Sequence, residues 1–109
     1  AELFDNGKGG AYQFDEMTMH AQNATELLKA LASESRLMIL CLLVEGEKSV
    51  GQLNKKMNRA QSSVSQELAR LRRQNLVTGR RDGKTVYYSI ESDEAKRIIA
   101  VLHEIYCKK

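Results

Sequence analysis

Proline is absent from all 109 residues, so the commonest breaker of helices is missing and a mainly helical fold is the expectation. Cysteine occurs only twice. Two thiols make no disulfide framework, and in a reducing cytosol they are either inert or engaged in transient redox chemistry. Long apolar runs are also lacking: the longest, Leu37–Val44, is eight residues against the roughly 20 of a bilayer span, and no basic-then-apolar leader opens the chain. A cytoplasmic protein with no membrane partner is expected. Nucleophile–base spacings, a phosphate-cradling loop and carboxylates paired on one helical face are missing too, which argues against an enzyme and implies no cofactor.

Hydrophobic residues make up 42% and charged residues 28%, proportions suited to one domain around one modest core. The net charge of +3 is unevenly spread. Residues 48–84 hold ten basic side chains against Glu67 and Asp82, a net of +8 inside a frame of net −5. A basic middle in an acidic frame is the footprint of a nucleic-acid binder, because phosphate contacts supply most non-specific affinity. A solvated charged face is the bland alternative.

Residues 1–16, AELFDNGKGGAYQFDE, carry three glycines and no sustained period, and read as a flexible N-terminal tail ahead of one domain over 17–109. From about Met19 a helical period takes over, with Ala21, Ala24, Leu27, Leu28 and Leu31 in one stripe. In ASESRLMILCLLVEGE, Ser33 or Ser35 caps a second helix that is apolar all round from Leu37 to Val44 and stops near Gly46. Such a helix belongs in the middle of a protein. A short helix from Ser49 to about Met57 and a longer basic one from about Gln61 to Gln74 then make a helix-turn-helix candidate. The longer one lacks a good cap, since Ala60 precedes it. In LVTGRRDGKTVYYSI, Val86, Tyr88 and Ile90 alternate with Tyr87 and Ser89, and Asp82-Gly83 offers a two-residue turn with Arg81, Asp82 and Lys84 at the tip. Ser92 caps a last helix whose apolar face is Ala95, Ile98, Ile99, Leu102, Ile105 and Tyr106. The predicted order is α-α-α-α-β-β-α.

On a helical wheel of residues 61–73, Val64, Leu68 and Leu71 fall together and must face the core, with Ser62, Gln66, Ala69 and Arg73 opposite. Hydroxyls and amides near a helix N-terminus suit the floor of a major groove, where glutamine bonds an adenine edge and serine reads base or phosphate. Gln61, Ser62, Ser63, Ser65 and Gln66 are therefore candidate readers, and Arg70 and Arg73 candidate phosphate contacts. Arg80, Arg81 and Lys84 on the hairpin would reach backbone or an adjacent minor groove.

The segments LLKALASESRLMILCLL, VGQLNKKM, QSSVSQELARLRRQNLV and DGKTVYYSI resemble the ArsR/SmtB family of bacterial winged-helix repressors, over roughly residues 20–107. The resemblance implies a winged helix-turn-helix and a homodimer built from the first and last helices. It also implies a fourth helix in the major groove of a pseudo-palindromic double-stranded DNA operator, with the hairpin as the wing. The two apolar terminal helices agree with this, since they hold more apolar surface than one core can cover. Where many relatives have a histidine after the serine-glutamine pair, this chain has Glu67, on the flank of the wheel nearer the core. Altered operator preference, not lost binding, is expected from it.

The family's metal sites can be checked by position. Its third-helix site uses a Cys-x-Cys-Asp type segment, and SVGQLNKKM holds no cysteine, histidine or acid. Its last-helix site, counted from Asp93, falls on Ala95, Tyr106 and Lys109. No metal site is therefore predicted. Instead, MILCLL and EIYCKK are similar to the subgroup typified by SqrR, BigR, YgaV and HlyU, with one cysteine in the second helix and one at the end of the last. That resemblance implies a Cys41–Cys107 dithiol that reactive sulfur species, meaning persulfides and polysulfides, or oxidants such as peroxide bridge, releasing DNA.

The residues themselves leave alternatives open. Cys41 shares its helix face with Leu37 and Val44, so burial favours the neutral thiol, and an inert buried cysteine is one reading. Cys107 lies with Ala100 and His103 off the apolar stripe and is expected to be exposed. A protonated His103, Lys108 and Lys109 favour its thiolate, whereas the helix C-terminus disfavours it. On that basis Cys107 reacts first and Cys41 resolves the intermediate. The rivals are an ArsR-type regulator with inert cysteines, answering to a metal such as zinc through His20 and His103 or to no small effector, and a protein-interaction module that uses the fold without DNA.

Overall fold

A computed structural model describes residues 14–58 and 61–107, without the side chains of Gln61 and Ser62. Residues 1–13, Ala60 as the poor cap, and Lys108 and Lys109 as neighbours of Cys107 lie outside the described residues. The chain divides into two units, one ending at Leu31 and the other beginning at Ala32.

The first unit contains helix α1, Phe14–Leu31. It starts five residues before the helical period expected from Met19, and takes in the last three residues assigned to the tail. Asp15 and Glu16 suit the positive end of the helix dipole, and the Thr18 hydroxyl donates to the Phe14 carbonyl at 2.9 Å. Apolar periodicity misses such a start, because a first turn of this kind is held by polar groups. Of the expected stripe, Leu31 is buried, Ala21, Ala24 and Leu27 are half-buried, and Leu28 is exposed.

In the second unit helix α2, Glu34–Val44, is capped by Ser33, whose hydroxyl accepts from the Arg36 N–H at 3.4 Å. Its C-terminal carbonyls are met by a cation: Lys48 Nζ donates to the Leu42 carbonyl at 2.9 Å and to that of Gly46 at 3.3 Å. As its all-round apolar sequence predicts, α2 packs on α3, α4, α5 and the sheet. Strand β1 is Lys48–Ser49, and helix α3, Val50–Met57, follows directly. Ser49 and Gln52 form a capping box, each side chain bonding the other's backbone N–H, at 3.2 and 2.9 Å. Helix α4 is Gln61–Arg73, strands β2 and β3 are Val77–Asp82 and Thr85–Ile90, and helix α5 is Asp93–Tyr106 under a Ser92 cap.

The expected order holds with one addition. β1 pairs antiparallel with β3 through Lys48↔Tyr88 and Ser49↔Tyr87, giving a three-stranded sheet in the order β1-β3-β2. The hairpin turn also sits one residue later than predicted. Asp82 pairs with Thr85, so the turn residues are Gly83 and Lys84, and only Gly83 has positive φ, at 65°. A glycine at the first turn position is the II′ solution, which needs no second residue in the left-handed region. The core of this unit combines Ile39, Leu40 and Leu43 with Leu53, Val64, Leu68, Leu71, Ala95 and Ile99.

Candidate nucleic-acid interface and dithiol

The rotation of α4 about its axis decides which side chains it offers. Val64, Leu68 and Leu71 are exposed by no more than 1% and fix that rotation. Gln66, Ala69 and Arg73, three of the four residues the wheel set opposite the core, are exposed, and so are Ser63, Ser65 and Arg70. The far end of the helix is locked. Asn75 adopts the left-handed conformation at φ 61°, its N–H reaches the Arg72 carbonyl at 3.0 Å, and the Leu76 N–H reaches the Leu71 carbonyl at 3.0 Å. These bonds are the Schellman pair, with asparagine in glycine's usual place and buried Leu71 and Leu76 as its apolar partners.

Glu67 turns toward the flank and away from the exposed face. One carboxylate oxygen lies 3.5 Å from Arg36 Nε on α2 and the other 3.9 Å from Arg70 on α4 itself. It joins the central helix to the reading helix and stands beside one of the candidate phosphate contacts.

On the wing, Arg81 and Lys84 are exposed near the tip, as predicted. Arg80 is not at the tip. It pairs with Tyr87 in mid-strand, and its guanidinium meets the Glu47 carboxylate in two hydrogen bonds, at 2.5 and 3.2 Å, while lying 5.1 Å above the Tyr87 ring. This arrangement holds Glu47 below the usual carboxylate range, chiefly through the hydrogen bond from Arg80. Glu47 stands 33 residues away in the chain, so no local pattern announced the pair.

The second site lies between α2 and α5, which pack on each other. Cys41 is half-buried on α2; Cys107 is exposed at the C-cap of α5, its N–H donating to the His103 carbonyl at 2.8 Å. Burial, then the charge of Cys107, then the charge of Glu45 all push the Cys41 thiol above its ordinary value. One helical turn further along α2, Glu45 Oε2 sits 3.2 Å from His103 Nε2, itself one turn before Cys107. Sequence reasoning missed this pair. Its signal was that each member stands four residues from a cysteine. Among the described residues, no three His, Cys, Asp or Glu side chains gather as a metal ion requires.

A helix-turn-helix whose second helix offers serine, glutamine and arginine, followed by a basic-tipped hairpin, defines a winged-helix DNA-binding transcriptional regulator. A family model described as "Bacterial regulatory protein, arsR family" matches residues 33–78. The transcriptional activator HlyU of Vibrio cholerae is 45% identical over 93% of this chain and 94% of that protein. The biofilm growth-associated repressor of Agrobacterium fabrum is 39% identical over 90% of this chain and 84% of its own length. Among solved structures, reduced HlyU from Vibrio cholerae superposes with a TM-score of 0.82 at 46% identity, covering 86% of this chain and 99% of the other. The repressor BigR from Xylella fastidiosa gives 0.81 at 36% identity, covering 87% and 94%. The chain belongs to the ArsR family of bacterial transcriptional regulators, which is not a family of enzymes.

Proposed function

We propose that this protein is a homodimeric repressor of a pseudo-palindromic operator and that bridging of Cys41 and Cys107 by reactive sulfur species or an oxidant makes it release DNA. The observation that carries the reading is the packing of α2 on α5, which brings together the two helix segments that carry thiols remote in the chain, near enough for Cys107 to raise the Cys41 thiol. In the bridging step the Cys107 thiolate attacks the sulfane sulfur of a hydropersulfide; a bond to Cys107 Sγ forms, the donor's S–S bond breaks, and the donor leaves as a thiol. Cys41, having lost its proton, attacks Cys107 Sγ and displaces hydrosulfide. Two electrons pass from the dithiol to the sulfane sulfur, leaving a disulfide, one thiol and hydrogen sulfide. Further sulfane sulfur lengthens the bridge, and a polysulfide link spans a wider gap than a disulfide.

A bridge between α2 and α5 acts on the helix that carries Arg36, and through Arg36 on Glu67 of the reading helix. The dimer reading draws support from Val101, Ile105 and Tyr106 on α5, which are large, apolar and exposed, Tyr106 by 80%. Gln61, Ser62, Ser63, Ser65 and Gln66 read the groove; Arg70, Arg73, Arg81 and Lys84 meet phosphates, with Arg80 committed to Glu47. The relatives include both a repressor and an activator, and release on bridging fits the former.

The test joins intact mass to operator titration after treatment with hydropersulfide, peroxide or a disulfide. Bridged protein differs by the loss of two hydrogens or the gain of sulfur atoms, and should lose its operator. Cys107→Ser should bind the operator when reduced and form no bridge; full release by persulfide in that variant would refute the assignment. Inert cysteines predict unchanged masses and binding.

A further inference from the structure

The end of α5 is poorly tied down. Ile99 is buried, Leu102 and His103 are half-buried, and residues 104–107 are all exposed. His103 is thus the last half-buried side chain before Cys107, and the partner it holds is Glu45, the C-cap residue of α2. Where α2 and α5 pack together, Glu45 faces His103, and one turn along each from that pair stand Cys41 and Cys107, near enough for Cys107 to raise the Cys41 thiol. The α2 side of the pair is fixed independently by Lys48, which binds the Leu42 and Gly46 carbonyls.

We propose that Glu45 and His103 are positioning residues of the dithiol, a polar rung that keeps the last turn of α5 docked on α2 so that Cys107 stays within reach of Cys41. The inference rests on the dithiol reading above. It concerns the second step, closure of the bridge, because the first step needs only an accessible Cys107. Glu45 has a second effect of opposite sign: its charge is among the causes that keep Cys41 protonated, which slows closure. Removing Glu45 therefore slows closure only while His103 is present to be held.

The experiment uses the full chain and dithiobis-nitrobenzoate, a coloured aromatic disulfide. Cys107 thiolate breaks the reagent's S–S bond and releases one nitrothiobenzoate; Cys41 thiolate then attacks Cys107 Sγ and releases the second, leaving the Cys41–Cys107 disulfide. Two phases of colour report the two steps. The wild type is expected to show both, and a single release with a persistent mixed disulfide would defeat the dithiol reading itself. His103→Ala should leave the operator affinity of the reduced protein unchanged and slow the first phase only through the loss of a neighbour that favours the Cys107 thiolate, an effect the two-phase record reads apart from closure. Its second phase should slow about two- to tenfold, the range one modest hydrogen bond supports, with the open adduct visible by mass. Glu45→Ala, at an exposed helix end, should slow the second phase by less than His103→Ala, because it also removes a charge that keeps Cys41 protonated, and should not slow it further in the His103→Ala background. Wild-type closure rates in both single variants, or additive slowing in the double one, would overturn the rung and leave the dithiol standing.

Discussion

Replacing Leu68 by alanine tests the rotation of α4 on which the whole reading face depends. Leu68 is 1% exposed, between Val64 and Leu71. Its truncation removes the transfer free energy of the lost methyl and methylene groups and leaves a cavity under a helix locked at its far end by the Asn75 turn, which limits collapse. The expected cost is about 3 kcal/mol, within the range for buried Leu→Ala changes. For a domain of this size, with total stability of roughly 5–15 kcal/mol, that is a large fraction. Gln66→Ala is the complement: Gln66 is exposed, so stability should change by less than about 0.5 kcal/mol, while operator binding should weaken by about 1–3 kcal/mol per half-site if it reads a base edge. Urea unfolding followed by circular dichroism, at one protein concentration for all variants, gives the first quantity; operator titration at one salt concentration gives the second. A cost below about 1 kcal/mol for Leu68→Ala, or a destabilising Gln66→Ala with intact binding, would mean that α4 is turned differently and that its face has been misread.

Arg73→Gln should lower affinity across operator and random DNA alike and reduce the salt slope of binding by about 1, measured by titration over a salt series. Glu47→Gln should release Arg80 from its carboxylate and strengthen non-specific DNA binding at low salt; unchanged binding would show that Arg80 cannot reach a duplex even when freed. Ser49→Ala breaks the capping box of α3 and should cost about 1 kcal/mol in urea unfolding. Cys107→Ser removes the charge of Cys107, one of the causes that raise the Cys41 thiol, so Cys41 should be alkylated faster at a given pH than in wild type. The raised Cys41 value also has a sign for stability: the contribution is present below the ordinary thiol range and lost as pH climbs through the folded value, because the folded state prefers the protonated form.

Much of this was legible in the sequence because it is local and periodic. Val64, Leu68 and Leu71 at helical spacing gave the rotation of α4, and Ser33 and Ser92 marked where α2 and α5 begin. β1 could not be read, since two residues display no alternation and acquire strand geometry only by lying beside Tyr87 and Tyr88. The turn was ambiguous by one residue, because Gly83 serves either position, and the Val77↔Ile90 register decides between them. At the sites, the two cysteines were visible as residues, and only the resemblance joined them, because how near they come depends on how α2 and α5 pack. The partner of Arg80 was hidden for the same reason: its basic charge is evident in sequence, and the acid that meets it, Glu47, is remote.

The short strand β1 bears on how the protein keeps to itself. A hairpin displayed for a duplex leaves unpaired backbone along its sides, and such edges invite strands from other chains. Here β3 is shielded at its middle, Tyr87 and Tyr88, by Lys48 and Ser49 and along its other side by β2, so the long bare edge is that of β2, where Arg80, Arg81 and Asp82 crowd three consecutive positions with charge. Another molecule stacking there would have to desolvate those ions, so the wing can remain open to nucleic acid without becoming a seed for sheet growth.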